Sequence, residues 1–219
     1  VYMFDRFEPL DVPAVMASKS GSFINESEDP FFLYMATMSP HRPFYREPGS
    51  EADPEKVIVP SYLPDIPECR EELSEYYGSV KRADAGLAKL IDVLKASGKW
   101  DNTLIIYLSD NGIAFPGAKT NLYDPGIRLP FVVRNPYSDL RGGVSDAMVS
   151  YTDIVPTVLD FAGIKVDDNF HGRSFLAATL GEKLPHKDEV YGSHTFHEVT
   201  MYYPMRMVRE RRYKLIWNI

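Results

Sequence analysis

A chain of 219 residues, 44% hydrophobic and 13% aromatic, has the composition of a globular protein able to bury a sizeable core in one or two domains. Its formal net charge of −7 argues against nucleic-acid binding, and an anionic ligand would need locally concentrated positive charge. No apolar run approaches the roughly 18 residues of a membrane-spanning helix, and the single cysteine, Cys69, excludes an internal disulfide.

The sequence opens at Val1 without an initiator Met and stops at Ile219 within an apparent strand, Y-K-L-I-W-N-I. Both ends read as cuts, and any targeting segment is expected outside these residues. The first element is a continuous apolar run from Pro30 to Met38 (P-F-F-L-Y-M-A-T-M), the pattern of a strand buried on both faces of a parallel or mixed sheet. Residues 43 to 67 hold six prolines and several acids and predict a long surface excursion.

Glu68 to Ser97 predicts a helix. Leu73, Tyr76, Val80, Ala83, Leu87, Leu90, Ile91 and Leu94 recur at three- and four-residue steps, and Gly98 supplies the stop. Thr103 to Leu108 (T-L-I-I-Y-L) follows as a second buried strand, giving the helix-then-strand rhythm of an α/β domain. Leu129 to Arg134 predicts a third strand. Thr152 to Ala162 predicts a helix ending at Gly163, with Pro156 tolerable near its first turn. From Glu189 the pattern changes to short alternating strands, the opening of a smaller antiparallel unit. The expected division is therefore 1–187 and 188–219.

Three strand or loop ends carry candidate chemistry. Ser109-Asp110-Asn111-Gly112 follows directly on T-L-I-I-Y-L, and in open α/β sheets ligands bind beyond the carboxyl ends of strands. Asp110 and Asn111 offer two hard oxygen ligands suited to Ca²⁺ or Mg²⁺; a plain Asp-Asn-Gly turn is the alternative. Lys119, eight residues past Asn111, can hold the oxygens of a tetrahedral anion as a point charge or be a solvated surface lysine. His41, in Ser39-Pro40-His41-Arg42-Pro43, can donate to such an anion or protonate a leaving group, or serve structure alone.

Taken together, these segments resemble the sulfatase family. P-F-F-L-Y-M-A-T-M-S-P-H, then D-N-T-L-I-I-Y-L-S-D-N-G, G-A-K and Y-D-P-G-I-R-L-P, then S-Y-T-D-I-V-P-T-V-L-D-F-A-G-I and H-G-R-S-F-L, are similar to the family's blocks and stand in the same order. F-P-G-A-K-T-N-L-Y and G-S-H-T-F-H-E-V-T-M-Y-Y-P-M-R resemble its N-sulfoglucosamine sulfohydrolase (sulfamidase) branch. The likeness covers essentially the whole chain.

The resemblance implies an alkaline-phosphatase-like α/β sandwich with a mixed central sheet, followed by the first strands of a smaller antiparallel domain. It implies Asp110 and Asn111 on a Ca²⁺ (or Mg²⁺) ion, with Lys119 and His41 converging on the sulfuryl group. His194, His197 and Glu198 form a second polar cluster, either ordinary loop residues or a loop that closes over the sugar, with Arg206 holding that loop or the substrate; Arg82 and Arg128 read as structural ion-pair residues. The family's formylglycine arises from Cys or Ser in C/S-x-P/A-x-R. Cys69 stands in C-R-E-E-L and Ser138 in S-D-L-R-G, so neither fits. The nucleophile, an Asp-Asp metal pair and a Lys-x-His element are therefore expected upstream of Val1.

The implied activity is hydrolysis of a sulfamate or sulfate ester on a glucosamine-type sugar of a heparin-like glycosaminoglycan. A sister O-sulfatase, a phosphonate or phosphate monoester hydrolase, and a non-catalytic glycan-binding relative stay open as alternatives, as does homodimerisation. Family habit implies a secretory destination, periplasmic or extracellular in bacteria and lysosomal in animals.

Overall fold

In a computed structural model, residues 3–44, 49, 51–182, 186–197 and 202–219 are described. The chain divides into two compact units, 1–100 and 101–219.

The first unit is built on two helices, α1 (Pro13–Glu26) and α2 (Pro67–Ala96), packed on each other. Each starts with proline in its first turn, where the missing N–H costs no hydrogen bond. Helix α2 spans nearly the predicted range, but its buried face differs in detail. Val80 is exposed, while Ser74, Gly78, Ser79 and Gly86 are buried alongside Leu73, Ala83 and Leu94. Small residues line this face because the helices approach closely. A Cβ on Gly86 would lie 2.3 Å from Pro13 Cβ. At the end of α1, Lys99 Nζ donates to the carbonyls of Ile24 (2.6 Å) and Ser27, a cationic cap on carbonyls left over by the helix.

Residues 30–38 correct one expectation. No strand forms there; the segment is extended but pairs with no strand among the described residues, and its side chains alternate between half-buried and exposed. Phe31 packs edge-on against Phe23, while Phe32 and Tyr34 are 58% and 72% exposed. An apolar run sets the extended conformation, but a strand also needs a hydrogen-bonded neighbour. The 43–67 excursion carries a single described 3-10 turn, Pro54–Lys56.

In the second unit, β1 (Ile105–Leu108) pairs antiparallel with β2 (Phe131–Arg134), so both predicted strands form. Between them lies the short helix α3 (Asp124–Ile127). A 3-10 turn (Tyr151–Asp153) leads into α4 (Ile154–Phe161), followed by Gly163 in the left-handed region (φ +71°) and by the one-turn α5 (Leu176–Thr179). The C-terminal residues form the antiparallel sheet β3 (Glu189–Phe196), β4 (Tyr202–Glu210) and β5 (Lys214–Asn218), with β4 in the centre. The small antiparallel unit expected from Glu189 onward is present. Among the described residues no helix is long and apolar enough to cross a membrane.

Candidate active site

Strand β1 delivers Ser109, Asp110 and Asn111 at its carboxyl end. Ser109 is fastened on three sides. Its N–H donates to Pro130 O (3.3 Å), its Oγ donates to Asn111 O (2.8 Å), and its carbonyl accepts the Tyr151 hydroxyl. Burial, with the nearby Asp110 charge adding to it, pushes the Tyr151 phenol up to about 12, so it stays a neutral donor. Asn111 Nδ2 donates to Gly112 O (2.9 Å), which orients the amide and leaves Oδ1 as its acceptor. Asp110 is exposed.

Gly112 explains the fourth letter of S-D-N-G. A Cβ there would sit 2.2 Å from Pro125 O and 2.8 Å from Gly126 Cα, and a Cβ on Gly126 would meet Asn121 O at 2.2 Å. Gly112 lets the 109–112 turn touch the 118–126 loop backbone to backbone, and Gly126 lets that loop close on itself.

Lys119 is carried by that loop and is half-buried. Its N–H donates to Ile113 O (3.0 Å), and Phe115, Ala118 and Leu122 anchor the loop in the core. The C-terminal sheet is the loop's platform. Leu122 clusters with Met205 and Met207, and Ile127 and Ile216 pack around them. Lys214 Nζ donates to Leu122 O (3.0 Å) and to Asp124 Oδ1 (2.5 Å), and Arg209 adds a 3.4 Å ion pair. The Lys214 hydrogen bond and charge hold the Asp124 carboxyl below its usual range. Thr120, next to Lys119, has φ +65°, the only non-glycine in the left-handed region among the described residues.

His194 and Arg206 fall on opposite faces of the C-terminal sheet, because His194 pairs with Met205 while Arg206 pairs with Ser193. The His194 ring stacks on Tyr203 (centroids 4.6 Å apart). Arg206 Nη1 donates to His194 O (3.1 Å) and Met205 O (2.8 Å), so it braces the strand pair from behind. His197 is exposed just past β3; Glu198 lies outside the described residues.

His41 belongs to the first unit. Its N–H donates to Met38 O and its Nδ1 donates to Arg42 O, both at 2.5 Å, which fixes the ring tautomer. It lines a hollow of about 330 Å³ together with Asp11, Ser39, Arg42 and Arg82. Arg82 donates to Ser39 Oγ (3.3 Å), and Arg42 pairs with Glu72 while lying over the Phe44 ring. Arg128 ends α3 and adds to the positive field on Asp124.

Asp110 and Asn111 offer the oxygen donors that Ca²⁺ and Mg²⁺ take. Among the described residues no group of three or more His, Cys, Asp or Glu stands together to hold an ion. Two donors are fewer than the roughly six to eight oxygens that Ca²⁺ takes, so any such ion would need further ligands. Cys69 is buried in the first turn of α2, and burial pushes its thiol up, so it is a structural residue.

Sequence reasoning did not find Asp153, His186 and Lys187. Asp153 is fully buried and gathers Lys187 Nζ (2.6 Å), His186 Nε2 (3.1 Å) and the amides of Ser150 (2.9 Å) and Arg173 (2.8 Å). S-Y-T-D together with H-G-R-S was the available signal. A Cβ on Gly172 would lie 1.8 Å from Thr152 O, so the two segments pass in backbone contact.

The sulfatase family model matches residues 12–164, and the model for the C-terminal part of N-sulphoglucosamine sulphohydrolase matches residues 118–218. The human N-sulphoglucosamine sulphohydrolase is 36% identical over 90% of this chain and 46% of its own length. An ulvan-active sulfatase of Formosa agariphila is 28% identical over 100% of this chain and 45% of its own. The chain thus spans a little under half the length of these curated relatives. Among solved structures, a Bacteroides thetaiotaomicron protein from work on glycosaminoglycan metabolism superposes with a TM-score of 0.80 at 23% identity, covering 94% of this chain and 49% of that one. The phosphonate monoester hydrolase of Agrobacterium radiobacter superposes at 0.76 and 20% identity, covering 99% and 55%. Both show the alkaline-phosphatase-like fold. The chain belongs to the sulfatase family.

Proposed function

We propose that the whole protein hydrolyses a sulfamate, or failing that a sulfate ester, on a glucosamine-type sugar of a heparin-like glycan. The observation that carries this reading is the match of residues 118–218 to the C-terminal part of N-sulphoglucosamine sulphohydrolase, a stretch that includes Lys119 and the whole C-terminal sheet. A related structure, 25% identical with a TM-score of 0.60 over 70% of this chain and 34% of its own, was solved with its substrate D-glucosamine-2-N,6-O-disulfate. That supports the sugar class.

In the reaction R–NH–SO₃⁻ + H₂O → R–NH₃⁺ + SO₄²⁻ the N–S bond breaks and the leaving nitrogen gains protons. Lys119 holds sulfuryl oxygens as a fixed positive charge, and a lysine preorganised for that purpose favours the charge that builds there. His41 serves as donor to a sulfuryl oxygen or as the acid for the leaving group. Asp110 and Asn111 hold a divalent cation, Ca²⁺ by family analogy or Mg²⁺, which when bound supplies Lewis-acid charge. The nucleophile is a formylglycine contributed by sequence outside these 219 residues. His194, His197 and Glu198 lie over the sugar, and the protein is destined for a secretory compartment.

The test is a substrate panel on the full-length protein: N-sulfoglucosamine, glucosamine 6-sulfate, an aryl sulfate and an aryl phosphonate. The proposal expects the highest kcat/KM for N-sulfoglucosamine. Preference for glucosamine 6-sulfate would make the enzyme an O-sulfatase, and turnover of the phosphonate alone would remove it from sulfur chemistry.

A further inference from the structure

Two segments meet at one side chain, the T-N-L-Y stretch after Lys119 and the Y-Y-P opening of β4. The Tyr203 hydroxyl donates to Thr120 O at 2.8 Å and lies 2.8 Å from Thr120 Oγ1. A carbonyl can only accept, so the tyrosine proton goes there and the threonine hydroxyl donates back to the tyrosine oxygen. Both polar groups of Thr120 on this side are thereby committed to one residue. Thr120 needs such an external hold. A β-branched residue at φ +65° has its Cβ crowded against the backbone, and the conformation persists only where surroundings impose it.

The same tyrosine holds His194. The two rings stack with an interplanar angle of 27°, and Tyr203 O accepts a hydrogen bond from His194 Nδ1 at 3.3 Å. Leu122 and Asp124 tie the far end of the loop to the sheet, and Tyr203 adds the sheet's contact to the near end, where the Lys119 amide also donates to Ile113 O.

We propose that Tyr203 is a positioning residue of the sulfuryl-binding site. Its hydroxyl locks Thr120 in the left-handed turn and so fixes the direction in which Lys119 leaves the chain, while its ring fixes His194 to the same unit. This rests on the reading that Lys119 holds the sulfuryl group. Tyr203 touches no reacting atom and acts through Lys119.

The experiment is a double-mutant cycle on the full-length enzyme. Tyr203→Phe keeps the ring stack and removes the clamp. It should lower kcat/KM by about ten- to a hundredfold, as a misaimed catalytic group does, with the loss mainly in kcat. In a Lys119→Ala background the same change should cost less than about twofold, because the group it aims is gone. Thr120→Asn, a residue that tolerates the left-handed region, should recover part of the Tyr203→Phe loss. If Tyr203→Phe folds poorly, Thr120→Val, which keeps the β-branched shape and removes the returning hydrogen bond, is carried through the same cycle. A full loss in both backgrounds, or no loss in either, overturns the proposal while leaving the reading of Lys119 intact. Wild-type kinetics for Lys119→Ala itself overturns both.

Discussion

Lys187 Nζ lies 2.6 Å from Asp153 Oδ1, a pair in which the carboxylate is fully buried and the lysine side chain keeps 15% of its surface exposed. Burial opposes ionisation of this carboxyl, but Lys187, the Ser150 and Arg173 amides and His186 outweigh it and hold the pKa below the ordinary carboxylate value. A carboxyl with a depressed folded-state pKa contributes stability that is complete above the unfolded value and is lost as pH falls through the folded one. Asp153→Asn should therefore destabilise the protein by about 1–3 kcal/mol near neutrality, because the Lys187 ammonium and the Ser150 and Arg173 amides lose a buried anionic acceptor. The gap between variant and wild type should begin to narrow near about pH 4, the range of an unperturbed aspartate, and close only below the depressed folded-state value. Thermal melts of both proteins across pH 3–7 read this out; a gap independent of pH would mean the carboxylate charge is not what matters.

Gly112→Ala should cost about 1–3 kcal/mol, since the new methyl would stand 2.2 Å from the Pro125 carbonyl and the backbone of the 118–126 loop has to move. Gly143→Ala is the control, because nothing lies within 4 Å of its Cβ position. Urea denaturation of the two variants should separate them clearly.

Removing the Asp110 carboxylate deletes one of the two oxygen donors at the end of β1. Asp110→Ala in the full-length protein should weaken Ca²⁺ binding by more than about tenfold, following the dependence of affinity on ligand charge. Calorimetric titration measures this without any turnover. Unchanged affinity would move the cation to a different site.

Cys69 should react slowly with a thiol reagent in the native protein and rapidly in denaturant. Its thiol is buried in the first turn of α2 and its pKa is pushed up by that burial. Fast native labelling at pH 7 would contradict the packing described here.

Local signals in the sequence anticipated much of the second unit. Alternation and turn chemistry around Thr103–Leu108, Gly163 and Glu189–Asn218 match β1, the end of α4 and the three-stranded sheet, because each is specified within a few residues. Helix α1 went unseen. Its buried Ala17, Gly21 and Ile24 include only one large apolar side chain, so its packing on α2 leaves a faint hydrophobic period. The run at 30–38 misled for the opposite reason: it is strongly apolar, but strand identity depends on a neighbour that a one-dimensional pattern cannot name. Motif order is what singles out Asp110, Asn111 and Lys119 as candidates. Tyr203 and Asp153 act across 83 and 34 residues of sequence, on Thr120 and Lys187, and no spacing rule reaches that far.

The platform under the Lys119 loop bears on how such an enzyme could be re-engineered. Leu122 buries into Met205 and Met207, Asp124 is gripped by Lys214 and Arg209, and Thr120 is held by Tyr203, so three successive stretches of the loop each have their counterpart on β4 or β5. Grafting residues 118–126 from a relative with another substrate would leave a cation facing no carboxylate and an apolar plug facing the wrong hole. Loop and sheet form one transplantable cassette, and a swap that respects it has to exchange both halves together.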